Sequence, residues 1–99
     1  MEFHWDADNR RHLNEDHPER RISEADVEFV LSGESASIYE SPGDQAEERW
    51  VDGGFTPAGR LIFVVWTWRG RKILPITAWE PDPAEVKLFE RRRKEEYGR

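Results

Sequence analysis

Residues 61–68 (LIFVVWTW) form the longest apolar run of the chain, with no charge and no polar alternation. Val, Ile, Phe, Trp and Thr dominate it, the residue types that suit a pleated, packed surface. A half-exposed strand would carry a polar residue at every second position, so the run predicts a strand buried on both faces. Arg69-Gly70-Arg71 supplies a short turn, with Gly70 free to take positive φ, and a second run follows over 72–79. The two make a β-hairpin whose first strand is central. Pro75 brings no N–H to the ladder, which marks the second strand as an edge or as bulged.

Elsewhere the pattern is punctuated by caps and breakers. Residues 2–5 read as a short extended lead-in, and Asp6 is a good N-cap for a first helix over 7–17, stopped by Pro18. Ser23-Glu24-Ala25-Asp26 begins a second helix over 24–31, with acids in its first turn beside the helix dipole. Its expected inner side holds Ala25, Phe29 and Ile22, with Val27, Val30 and Leu31 close by, and Gly33 suits its C′ position. Residues 35–40 alternate like a strand, Ser41-Pro42-Gly43-Asp44 has loop chemistry, and 48–55 should be the next strand. Thr56-Pro57-Ala58-Gly59 turns the chain into the central strand. Asp82 as N-cap, Pro83 at N1 and Glu85 at N3 start a last helix over 83–97, with Val86, Phe89, Arg93 and Tyr97 on one face. The order is helix, helix, three to four antiparallel strands, helix: an α+β fold in one domain spanning 1–99.

Composition narrows the classes. The chain has 99 residues and no cysteine, so it has neither a disulfide framework nor a thiolate metal site. No apolar run reaches the roughly 18 residues of a membrane span, and the first residues lack a signal peptide's apolar core, so no membrane contact is expected and a cytoplasmic location is the default. A net charge of −6 argues against a protein that coats nucleic acid indiscriminately. The charge is uneven: residues 1–49 carry 5 Lys+Arg against 14 Asp+Glu, and residues 50–99 carry 10 against 7. An acidic half is joined to a basic half.

Several segments together resemble the BrnT family, small toxins of bacterial type II toxin–antitoxin systems with a RelE-like ribonuclease fold. They are Trp5-Asp6, Asn9-Arg10-Arg11-His12-Leu13, His17, the 22–28 stretch ISEADVE, Glu48-Arg49-Trp50, the 59–65 stretch GRLIFVV, Arg69-Gly70, Ile76-Thr77-Ala78 and Glu90-Arg91-Arg92-Arg93 with Tyr97. The likeness follows the family's order over nearly the whole chain. Three positions depart from it: Trp79 where many relatives have Arg, Asp16 where a basic residue is common, and Pro18 in place of Gly.

The resemblance implies an RNA-cleaving toxin that needs no metal or other cofactor. It also implies neutralisation by a ribbon-helix-helix antitoxin, alone as a dimer or with the antitoxin as a heterotetramer. The chemistry implied is attack of a ribose 2′-OH on the adjacent phosphate, which asks for a base, an acid and cations on the non-bridging oxygens. Glu48, Arg49, His17 and Lys72 are the catalytic candidates; Arg60, Arg69, Arg71 and Arg91 are the RNA-binding ones. Each has a plainer use. Arg49 suits a bidentate phosphate clamp or a strand-surface ion pair. The Arg69–Lys72 cluster suits a phosphate patch or a solvated hairpin tip, and Arg91 suits RNA, antitoxin or solvent. His12 and His17, five apart, stand about 140° apart on an ideal helix, a poor metal pair. Five tryptophans serve a core, base stacking or a partner surface. The alternative reading is a non-catalytic module of the same family that binds the antitoxin or acts as a corepressor. The nuclease reading requires Arg49, Arg60, Arg69 and Lys72 to gather at one rim of the sheet.

Overall fold

The computed structural model describes residues 1–42 and 48–97. Helices α1 (Ala7–Asn14) and α2 (Glu24–Ser32) come first, with a 3₁₀ turn (Pro18–Arg20) between them. Strands β1 (Ala36–Pro42), β2 (Glu48–Phe55), β3 (Leu61–Arg69) and β4 (Lys72–Trp79) follow, and α3 (Pro83–Tyr97) ends the described chain. The strands form one antiparallel meander in the order β1-β2-β3-β4. The α+β reading holds, with four strands.

The apolar run of β3 sits where its lack of alternation requires. Ile62, Phe63 and Val64 are each 0% exposed, so both faces of the strand are covered. On one face Ile62 and Val64 pack with Ile73, Leu13 and Val27 under α1 and α2. On the other, Phe63 and Val51 meet Phe89 of α3. Full burial of each such side chain contributes about 1.5–3 kcal/mol. Gly53 makes the second layer possible: a Cβ there would lie 2.7 Å from the Phe63 ring and 3.0 Å from that of Phe89. The turns behave as their residues dictate, with Gly59 at φ 85° and Gly70 at φ 63°.

All three helices start as their cap residues specify. Asp6 accepts from the N–H groups of Asp8 and Asn9, and Asn9 Oδ1 accepts from the Asp6 N–H. Ser23 and Asp26 form the same reciprocal box on α2, as do Asp82 and Glu85 on α3.

Four expectations are corrected. First, α1 stops at Asn14 rather than running to 17, because His17 precedes Pro18 and is pushed out of helical geometry, to φ −136° and ψ 60°. His12 and His17 therefore do not share a helix. Second, the buried side of α2 is Val27, Val30 and Leu31, whereas Ala25 is exposed and Phe29 is 51% exposed. Third, Gly33 is the C-cap of α2, in extended geometry (φ −103°), one place earlier than the C′ position expected for it. Fourth, Ser41 and Pro42 belong to β1 instead of the loop; Pro42 ends an edge strand, where its missing N–H costs nothing in the ladder. Gly43 and Asp44, the rest of that loop, lie outside the described residues.

Pro75 does what a strand proline must. The β3–β4 register shifts between Val65↔Thr77 and Trp66↔Pro75, a bulge that takes Ile76 out of the pairing. The outer edge of β4 receives the lead-in: Phe3 bridges Ile73 in parallel, and the His4 N–H donates to the Ile73 carbonyl at 2.7 Å.

Candidate active-site cleft

The β4 bulge and the start of α1 are fastened together by one side chain. Asn9 is buried, and its Nδ2 donates to the carbonyls of His4 and Pro75, both at 2.9 Å. This holds the N-terminal turn of α1 against the edge of β4. The result is a cleft of about 180 Å³ between α1 and the sheet, lined by Asp6, Asp8 and His12 from the helix, Arg49 and Arg69 from β2 and β3, and the bulged β4 backbone around Pro75.

Strand alternation explains how two arginines far apart in sequence meet there. Trp50 lies opposite Trp66, and Thr67 opposite Leu74. Arg49 precedes Trp50 and Thr67 follows Trp66, so Arg49, Thr67, Leu74 and Arg69 turn to the face away from the tryptophans. The Thr67 hydroxyl donates to the Glu48 carbonyl at 2.6 Å and closes the start of β2 onto β3.

The carboxylates of the cleft are already employed. Asp6 is held below the ordinary aspartate range, first by the Asn9 N–H; the Asp8 N–H and the His4 side chain add to this, against a smaller opposing effect of burial. His4 Nε2 stands 3.2 Å from Asp6 Oδ2. Asp8 pairs with Arg11 at 3.3 Å. His12 Nδ1 lies 2.9 Å from Asp16 Oδ2. An Nδ1–H donated to a carboxylate fixes the tautomer whose Nε2 is basic. The cleft thus combines two guanidinium groups with an imidazole oriented by a carboxylate. Among the described residues, no group of three or more His, Asp or Glu is arranged to hold a metal ion.

The other residues singled out from the sequence are placed elsewhere. Lys72 lies opposite Arg69 across the hairpin, with Arg71 beside it; both are exposed. Arg49, Arg69, Arg71 and Lys72 therefore occupy one end of the sheet. Arg60 is at the other end of β3, about 30 Å away by strand rise. Its guanidinium donates to the carbonyls of Arg21 and Arg20 at 2.6 and 2.7 Å and pairs with Glu80, which makes it a brace for the left-handed Arg21. Glu48 is exposed and, being next to Arg49 in the strand, turns to the tryptophan face. His17 borders a separate hollow with Leu13, Pro18 and Ile22, 3.5 Å from Glu19. Arg91 is exposed on α3. His12 is the cleft residue absent from the catalytic set read from sequence. The available signal was its i, i+4 spacing to Asp16.

Comparison with protein families gives one match. Residues 5–85 fit the model of the ribonuclease toxin BrnT of type II toxin–antitoxin systems. The chain belongs to the BrnT family. No curated relative and no solved structure matches it. The BrnT match contains every residue lining the cleft, while Arg91 and most of α3 lie beyond it. Membership in this family of toxins makes RNA the target class and an antitoxin protein the partner class. Among the described residues no helix is long and apolar enough to cross a membrane.

Proposed function

We propose that this BrnT-family chain cleaves RNA in the α1–β4 cleft without a metal, and that a ribbon-helix-helix antitoxin neutralises it. His12 Nε2 takes the proton of a ribose 2′-OH, and the freed oxygen forms a bond to the adjacent phosphorus. The P–O5′ bond breaks, and the 5′-oxygen takes a proton from water, leaving a 2′,3′-cyclic phosphate and a 5′-hydroxyl. Arg49 and Arg69 meet the charge that grows on the non-bridging oxygens. The observation carrying this reading is that His12, Arg49 and Arg69 line one cleft although they come from three different elements.

The test is cleavage of a synthetic single-stranded RNA by purified protein, with and without EDTA, and analysis of the new ends. Full activity in EDTA, cyclic phosphate ends and a loss of about 10²–10³ in rate for Arg49→Ala are expected. Activity abolished by EDTA overturns the metal-free mechanism. Arg49→Ala and Arg69→Ala proteins as active as the parent overturn the site. For the partner, co-expression with a ribbon-helix-helix protein should yield a stable complex and relieve growth arrest; failure of both overturns that assignment.

A further inference from the structure

The face of the sheet opposite the cleft carries three indoles in a row, one from β2 and two from β3. Trp50 and Trp66 stack with centroids 5.0 Å apart and planes at 28°, and Trp68 meets Trp66 edge-on at 5.4 Å and 87°. Trp66 is fixed by its Nε1–H, which donates to Asp52 at 3.2 Å. Trp68, at the outer end of the row, is 49% exposed, a large apolar area to leave in water on a strand whose other aromatics, Phe63 and Trp66, are fully and partly buried. The next residues are Arg69, Gly70, Arg71 and Lys72, the tip that continues around to the cleft. Among the described residues, neither Arg71 nor Lys72 is engaged in an ion pair or a side-chain hydrogen bond. By the β2–β3 register Glu48 lies across from Trp68 on the same face, and Arg71 and Lys72 at the adjoining tip outnumber that one carboxylate, so the balance of charge at the Trp68 end favours an anion.

We infer that Trp68 is a stacking subsite for an unpaired base of the RNA flanking the scissile phosphate, with Arg71 and Lys72 carrying the phosphates around the hairpin tip. This deepens the reading of the cleft as the cleavage site and rests on it. An aromatic face beside cations is the combination that holds single strands: the ring accepts any base and the cations follow the backbone. Preorganisation favours it here, because the Trp50–Trp66 stack and the Asp52 bond hold the indole that Trp68 leans on. The patch is apolar enough for a protein partner too, but cations at its outer end match a polyanion better than an apolar helix.

The test uses a 2′-O-methyl single-stranded decanucleotide, which binds without being cut because the attacking hydroxyl is blocked, and an abasic strand of equal charge. Trp68→Ala should weaken binding of the decanucleotide about 5- to 150-fold, the range of one base–aromatic stack. It should leave the abasic strand unaffected, and Trp68→Phe should retain most of the affinity, which also controls for folding. On cleavable RNA, Trp68→Ala should raise KM and leave kcat near the parent value. Unchanged decanucleotide affinity in Trp68→Ala overturns the subsite, even if Arg49→Ala abolishes cleavage and the cleft reading stands. Unchanged affinity together with loss of antitoxin co-purification overturns it in favour of a protein-binding patch. If the parent does not cleave RNA at all, the cleft reading fails; the base-dependent loss in Trp68→Ala still reports on stacking by itself.

Discussion

Asn9 and Pro75, 66 positions apart, are joined by a buried 2.9 Å hydrogen bond from the Asn9 amide to the Pro75 carbonyl. Ile73 turns its N–H and carbonyl to the outer edge of β4, where Glu2 and His4 meet them; Pro75, two residues on, presents its carbonyl to the same edge, and the Asn9 amide supplies the donor there. The same side chain accepts the Asp6 N–H at 2.7 Å through its other end, so one residue caps α1 and seats it on the sheet.

Asn9→Ala should therefore destabilise the fold by about 1–3 kcal/mol, the cost of leaving a buried carbonyl without a donor. Asn9→Asp keeps the cap acceptor and loses both donors, so it should be destabilised as well. Urea melts with an unchanged m-value check both. A stable Asn9→Asp would show that the donors are dispensable.

Arg60 and Lys72 were grouped by charge in the sequence, yet the structure gives them opposite employment. Arg60 spends its donors on the Arg20 and Arg21 carbonyls. Arg60→Ala should cost about 1.5–3 kcal/mol in stability, as for hydrogen bonds from a charged group, and leave RNA affinity intact. Lys72→Ala should do the reverse: an unchanged melting curve, with the slope of log affinity against log salt shallower by about 0.7, one fewer phosphate contact to a single strand.

These two residues also show what was legible. The hairpin was readable because an uncharged run, a glycine turn and a proline each restrict the backbone locally. The inner face of α2 was not, since apolar residues at 25, 27, 29, 30 and 31 go round the helix and select no single side. The requirement that four cations gather at one rim is met by Arg49, Arg69 and Lys72 but not by Arg60. A residue type records a charge, not whether backbone carbonyls have already claimed its donors. His12 was weighed only as a metal ligand and left out of the catalytic set for a related reason: its place in the cleft depends on the Asn9–Pro75 contact, which no local pattern announces.

The two histidines should separate kinetically. His12→Ala is expected to lose about 10²–10⁴ in kcat, the usual worth of a positioned general base. His17→Ala, on its separate hollow, should change neither kcat nor KM. Asp16→Asn should lower kcat at constant KM, because it acts only through the tautomer of His12. Equal losses in His12→Ala and His17→Ala would remove the distinction.

Asp52 gives a pH signature independent of catalysis. Burial between Trp66 and Ser35 pushes its carboxyl above the ordinary aspartate range; hydrogen bonds from those two side chains, at 3.2 Å each, oppose the shift, and the nearby Glu96 adds to it. A raised folded-state value means that the unfolded chain ionises first as pH rises. Stability from this group is then full in acid and declines as pH climbs from the ordinary range near 4 through the folded value, staying lower at neutrality. Asn in its place keeps an acceptor for Trp66 Nε1 and offers Ser35 Oγ a donor, without the charge. Asp52→Asn should accordingly raise Tm at pH 7, with the gain shrinking towards pH 4, where the parent is protonated as well. Thermal melts of both proteins at the two pH values decide it: a lower Tm for Asp52→Asn at pH 7 would mean that the ionised carboxylate is attracted to something in the fold, and that burial is not what governs it.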